Sequence, residues 1–173
     1  MVAIEKPAAL QKGLILTAEY DEALPAVLLG DQHRLERILI NIMSNAIKFT
    51  DTGSITLTAQ VDADHLLFEV KDSGIGMAPA VQERLFQRFE QADGSISRRF
   101  GGSGLGLYIS LNLAELMGGT ITVSSQEGVG SVFKLILPYL QSDQLVDSVD
   151  PSGLSESLLD ENISGNVLVA EDT

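Results

Sequence analysis

The sequence contains no cysteine, so disulfide frameworks and cysteine-based zinc sites are excluded. It also lacks any apolar run near the ~18 residues that a membrane-spanning helix needs; stretches such as Leu24 to Leu29 are far too short. No basic, apolar and small-residue leader opens the chain, so no secretory signal is read there. Lys and Arg are missing from the whole of Gln141 to Thr173, which holds eight of the 24 acidic residues. The other 16 acids face all 11 bases, so residues 1–140 carry only −5 of the formal −13. No basic stripe offers the phosphate-neutralising surface of a nucleic-acid binder. What remains is ordinary globular composition, 45% hydrophobic and 20% charged, over 173 residues: one compact domain and a tail. The expected chain is soluble and cytoplasmic, without membrane contact of its own.

The pattern along the chain is mixed α and β. Leu14, Leu16, Ala18 and Tyr20 alternate as in a half-buried strand. After Pro25 and Gly30, Asp31 is placed to cap a helix to about Phe49, with Leu35, Ile38, Leu39, Ile42 and Ala46 at helical spacing. Strands Ser54 to Val61 and Leu66 to Lys71 follow, joined by the polar turn Asp62 to His65. A short helix is expected from about Pro79 to Phe89, and Glu90 to Ser103, polar and without period, reads as a mobile loop. Gly104 opens another amphipathic helix that Gly118-Gly119 stops, and a hairpin of Thr120 to Ser124 with Ser131 to Leu137 closes the unit at Pro138. Residues 141–163 have the acidic, Ser-rich composition of a linker. The run Asn166-Val167-Leu168-Val169-Ala170 then reads as a buried parallel strand, the start of a further domain.

Three elements carry chemistry. On the first long helix, Asn41, Asn45 and Lys48 share a narrow arc beside the apolar stripe. Amides and an ammonium there need partners. An amide oxygen can ligate Mg²⁺ and a lysine can neutralise phosphate, although the solvated flank of an amphipathic helix would look the same. In Asp72-Ser73-Gly74-Ile75-Gly76, the glycines let backbone approach a flat ligand and the carboxylate can accept from an exocyclic amine; a plain turn after a strand is the alternative. In Gly101 to Leu107, four glycines in six residues lead into a helix whose first amides form an anion site. The spacing matches neither the Gly-Lys-Ser/Thr phosphate loop nor the dinucleotide fingerprint. Taken together the elements fit one ligand: a nucleotide with an amine-bearing base, its polyphosphate and Mg²⁺.

Their order also resembles a family. Arg34-Leu35 through Asn41, Asn45-Ala46 and Lys48-Phe49-Thr50 is similar to the N box of sensor histidine kinases, and Asp72 to Gly76 to their G1 box. Leu85-Phe86-Gln87-Arg88-Phe89 resembles the F box, Gly102 to Leu107 the G2 box, and Gly130-Ser131 with Phe133 the closing strand. The resemblance runs over residues 13–140. It implies the Bergerat ATP-binding fold, a two-layer α/β sandwich in which helices cover a mixed sheet and a mobile lid closes over ATP. By resemblance, Asn45 coordinates Mg²⁺, Asp72 binds the adenine amine, and Lys48 with Arg98 or Arg99 contacts phosphate. Gly74 and Gly76 approach the base, Gly102, Gly104, Leu105, Gly106 and Leu107 form the lid hinge and phosphate site, and Ser131 lines the pocket. Phe86 and Phe89 are expected to help the lid pack. ATP-hydrolysing relatives carry Glu where this sequence has Asn41, which cannot take a proton from water. The expected activity is therefore transfer of the γ-phosphate to a protein histidine.

His33 and His65 match no acceptor-histidine pattern and read as surface residues. The acceptor is expected on a dimerisation domain ahead of residue 1. Residues 164–173, with Glu171-Asp172, resemble the start of a receiver domain, so the parent resembles a hybrid sensor kinase, with an inner-membrane anchor possible elsewhere in it. An anti-sigma-type serine kinase and a nucleotide-binding regulatory module without transfer are the alternative readings.

Overall fold

The computed structural model describes residues 2–24, 27–87, 105–139 and 167–169. Its helices are α1 (Val2–Gln11), α2 (Gln32–Phe49), α3 (Pro79–Gln82) and α4 (Gly106–Leu116). Its strands are β1 (Ile15–Tyr20), β2 (Val27–Leu29), β3 (Ser54–Asp62), β4 (His65–Asp72), β5 (Thr120–Gln126), β6 (Gly130–Pro138) and β7 (Val167–Val169). Five strands make one sheet in the order β1-β3-β4-β6-β5, with β1 parallel to β3 and every other pair antiparallel. The expected mixed sheet and two-layer α/β architecture are both present.

Strict alternation fixes which face of this sheet is buried. Ile55, Leu57 and Ala59 of β3, Leu66, Phe68 and Val70 of β4, and Phe133, Leu135 and Leu137 of β6 point to one side and are buried. The apolar stripe of α2 (Leu35, Ile38, Leu39, Ile42, Met43, Ala46 and Ile47) joins them in a single core, to which α4 adds Ala114 and α1 adds Ala9. The other face carries polar cross-strand pairs. Thr17 and Thr56, opposite each other in register, bring their hydroxyls to 3.1 Å, and Lys134 pairs with Glu69 at 3.1 Å.

The helix ends follow local chemistry. The Asp31 carboxylate accepts from the Arg34 amide at 3.0 Å and pairs with its guanidinium at 2.9 Å, capping α2 as expected. After α4, Gly118 takes φ of 75° and donates to the Glu115 carbonyl, while Gly119 donates to the Ala114 carbonyl, closing the last turn. The C-terminus of α2 is closed from outside: the Lys12 ammonium donates to the carbonyls of Ile47 at 2.7 Å, Lys48 at 2.9 Å and Thr50 at 3.2 Å.

Several expectations need correction. α1 has no counterpart in the sequence reading, because Pro7 lies inside it and only Ala9 is buried, so no amphipathic stripe marks it. α3 stops at Gln82 instead of continuing to Phe89. The amides of Leu85 and Gln87 reach back only three residues, the tighter pattern of consecutive turns, and Phe89 lies outside the described residues. β2 was not anticipated. The tail strand is present, but β7 runs antiparallel beside β2, in the register Val27↔Val169 and Leu29↔Val167, and not in a parallel pair. A three-residue strand cannot stand alone, and an unpaired edge satisfies its backbone groups.

Lys12→Met should remove three charge-assisted bonds to the end of α2 and lower unfolding free energy by about 1–2 kcal/mol, measured by urea titration. Lys12→Arg should recover part of the loss. An unchanged midpoint in Lys12→Met would show that solvent satisfies those carbonyls equally well.

Candidate functional site

The site is built along α2. Asn41 and Thr50, nine residues apart, are separated by about 13 Å along the axis, the length scale of a nucleoside triphosphate. Asn45 and Lys48 lie between them, both half-buried at the margin of the apolar stripe.

At the C-terminal end, strand β4 delivers Asp72, whose side chain is buried. Its Oδ1 accepts from the Gly74 amide at 2.8 Å and from the Ser131 amide at 3.3 Å. Burial holds its pKa above the usual 3.8, while these amides and the Ser131 hydroxyl pull in the opposite direction. Desolvation is the larger of these effects. Beside Asp72, Thr50 is fully buried and its hydroxyl has no hydrogen-bond partner among the described residues. A Cβ added to Gly74 would lie 2.8 Å from Thr50 Oγ1 and 2.9 Å from Asp72 Oδ1. The Phe49 carbonyl would lie closer still, so the protein's own packing requires glycine at this position. Gly76, at φ of 64°, likewise meets the Gln126 carbonyl of the β5–β6 turn.

At the other end of the site, Asn41 Nδ2 donates to the buried Ser110 hydroxyl of α4 at 2.8 Å. Asn41 Oδ1 lies 2.5 Å from where a Cβ on Gly106 would be, so only glycine lets the first turn of α4 pack on this amide. Leu105, in the N-cap position, offers no side-chain cap to α4. The Lys48 ammonium sits 5.0 Å from the Phe49 ring centre. Leu107, Leu85 and Phe86 are partly buried against the core.

The fold thus brings Asp72, Gly74 and Ser131 into one cluster and places Asn41 against Gly106, with Asn45 and Lys48 between. Arg98, Arg99, Gly102 and Gly104, with the Glu90 to Ser103 loop expected to be a lid, lie outside the described residues. His33 and His65 are exposed, as expected of surface residues. The sequence reading missed Thr50 as a buried polar group, although Lys48-Phe49-Thr50 placed it at the helix end. Ser125 and Gln82, which connect to Ser131, carried no signal of spacing. Among the described residues no group of three His, Asp or Glu side chains is placed to hold a metal by itself. A cation at Asn45 would draw its other ligands from phosphate and water, as Mg²⁺ commonly does.

This arrangement has relatives. Residues 30–141 match the family model described as histidine kinase-, DNA gyrase B-, and HSP90-like ATPase, and the chain belongs to that family. It is 43% identical over 133 residues to hybrid signal transduction histidine kinase B of Dictyostelium discoideum, covering 74% of this chain and 7% of that protein. It is 40% identical over 144 residues to the circadian input-output histidine kinase CikA of Synechococcus elongatus, covering 83% and 18%. The chain thus spans under one fifth of the length of either. Among solved structures, full-length ShkA in complex with AMPPNP superposes with a TM-score of 0.72 at 34% identity, over 82% of this chain and 29% of that one. The catalytic domain of histidine kinase ThkA superposes with a TM-score of 0.67 at 25% identity, over 79% and 87%.

Because burial raises the pKa of Asp72, its ionised form costs stability. That cost is absent at acid pH and grows as pH rises through the native pKa. Asp72→Asn keeps an acceptor for the two amides without the charge. It should melt at or above the wild-type temperature at pH 7, and the gap should shrink as pH falls toward 4. A variant that melts well below wild type at pH 7 in differential scanning calorimetry would show that the charge itself holds the site together.

Proposed function

We propose that this chain is the ATP-binding, phosphoryl-donating domain of a hybrid sensor histidine kinase. The observation that carries the reading is the pairing, on one helix, of a buried base-recognition end with a phosphate end. At the first, Asp72 accepts from the exocyclic amine of adenine and Thr50 offers an unsatisfied hydroxyl beside it. At the second, Gly106 opens a helix without a side-chain cap, so its first amides and dipole suit phosphate.

Within that reading each residue has a task. Asn45 would ligate Mg²⁺, which supplies charge neutralisation between phosphates. Lys48 contributes a cation to the same phosphates, joined by Arg98 or Arg99. Asn41 ties α2 to α4 through Ser110 and has no basic atom to take a proton from water. The nucleophile must therefore be able to attack without giving up a proton to this site. A neutral imidazole can: its nitrogen forms the P–N bond as the bond from γ-phosphorus to the β,γ-bridging oxygen breaks and ADP leaves. The acceptor histidine belongs to a dimerisation domain of the same parent, and a receiver domain or response regulator takes the phosphoryl group next. The receiver reading of residues 164–173 rests on the run Asn166 to Asp172. Among the described residues no helix is long and apolar enough to cross a membrane, and a cytoplasmic site of action is part of the proposal.

Mixed with the separate dimerisation domain and labelled Mg-ATP, the chain should generate acid-labile, base-stable phosphohistidine, while its own hydrolysis of ATP stays very slow. Asn45→Ala should abolish the Mg²⁺ dependence of nucleotide binding. GTP should bind about ten- to hundredfold more weakly than ATP, because its O6 carbonyl opposes the Asp72 carboxylate. Brisk hydrolysis without acceptor, or phosphoserine on an added partner, would replace this reading with an ATPase or a serine kinase. Tight binding with no transfer to any acceptor would leave a regulatory nucleotide-binding module.

A further inference from the structure

A continuous hydrogen-bond chain leaves the base-recognition end and runs to α3. β5 is an edge strand of the sheet, so the outward backbone groups near its end have no strand to pair with. At Ser125 the Gln82 side chain takes that place. Its Nε2 donates to the Ser125 carbonyl at 2.9 Å and its Oε1 accepts from the Ser125 amide at 3.1 Å. The second Nε2 hydrogen goes to the Met77 carbonyl at 3.0 Å. One primary amide thus imitates a strand residue, and all three of the groups it joins are backbone.

Ser125 faces Ser131 in the β5–β6 register, and with its own N–H and C=O turned outward the two side chains come close. Their hydroxyl oxygens are 3.0 Å apart. Ser125 Oγ also accepts from the Met77 amide at 2.8 Å and donates to the Gly130 carbonyl at 2.9 Å. Ser131 bonds Asp72 through its amide at 3.3 Å. Each hydroxyl has one hydrogen. That of Ser125 goes to the Gly130 carbonyl, so in the contact between the serines Ser131 is the donor. Ser125 thus holds the peptide unit between Gly130 and Ser131 by its carbonyl, and the N–H of that same unit donates to the Asp72 carboxylate.

We propose that Gln82 and Ser125 are positioning residues for base recognition: Gln82 fixes the end of β5, and Ser125, through Ser131, fixes the orientation of Asp72 toward the exocyclic amine. Neither residue touches the base. The inference rests on the reading of Asp72 as the adenine acceptor and extends it to two residues outside the recognised sequence boxes.

The test compares a non-hydrolysable ATP analogue with the corresponding purine riboside triphosphate, which lacks only the exocyclic amine, by calorimetry on the full chain. Ser125→Ala and Gln82→Met should each weaken the amine-bearing nucleotide about three- to tenfold and leave the other within about twofold. Ser125→Thr, which keeps the hydroxyl, should behave as wild type. Equal losses on both nucleotides would mean general loosening, and no loss on either would mean no coupling; each result overturns the proposal. Asp72→Asn is the reference. If it discriminates between the nucleotides while Ser125→Ala and Gln82→Met do not, the relay alone falls. If Asp72→Asn fails to discriminate, the adenine assignment falls and takes the relay with it.

Discussion

A carboxylate buried at the end of an inner strand is the constraint around which the rest of this site is arranged. Asp72 cannot be solvated where it lies, so the backbone must come to it. Gly74 turns its amide back toward the side chain, and Ser131 on the neighbouring strand does the same from the other side. The second is possible only because β4 and β6 run antiparallel in a register that sets Ser131 opposite Asp72. Sheet topology and ligand chemistry therefore meet at one residue pair. A slip of one position in that register would turn Asp72 to the solvent face and dissolve the site together with the core alternation.

The helix α2 serves the core and the site with adjacent faces. Its buried stripe holds the sheet, which makes the helix rigid, and the polar residues at the stripe's edge inherit that rigidity. This is the physical advantage of placing Asn41, Asn45 and Lys48 beside the core instead of on a loop: their positions are fixed by packing, not by the ligand. Lys12 extends the same logic outward. By closing the C-terminal carbonyls of α2 it joins α1 to the turn that carries Lys48 and Thr50. A displacement of α1 would thus be felt at the base-recognition end of the site.

Much of this was legible in the sequence where one residue type does one job. The alternation of β3, β4 and β6, the Asp31 cap and the glycine stop after α4 follow from local rules, and all stand in the fold. Asp72, Asn41 and Ser131 were found because their spacing is that of a known constellation. What stayed hidden depends on tertiary contact. Pro7 and the lack of a buried stripe masked α1. Gln82 looks like any polar residue in a short helix until β5 is seen to present a bare edge beside it. The glycines were legible as needed, but not that Gly74 and Gly106 also make room for the Phe49 carbonyl, Thr50 and Asn41, protein groups that no local pattern brings together.

Asn41 carries this last point into the chemistry. Its amide is held on both sides, by the Ser110 hydroxyl it donates to and by the α-carbon of Gly106 that its oxygen packs against. An acidic side chain at this position would be longer, would lose the donor that Ser110 receives, and would set a charge against the first turn of α4. The positive end of that helix dipole would favour the charge, whereas the tight contact with Gly106 would oppose the length. The absence of a base for water is thus not an isolated substitution but part of the packing between α2 and α4. On the proposed reading, a base for water at position 41 would have to be accommodated by a shift in the interface that also shapes the phosphate end.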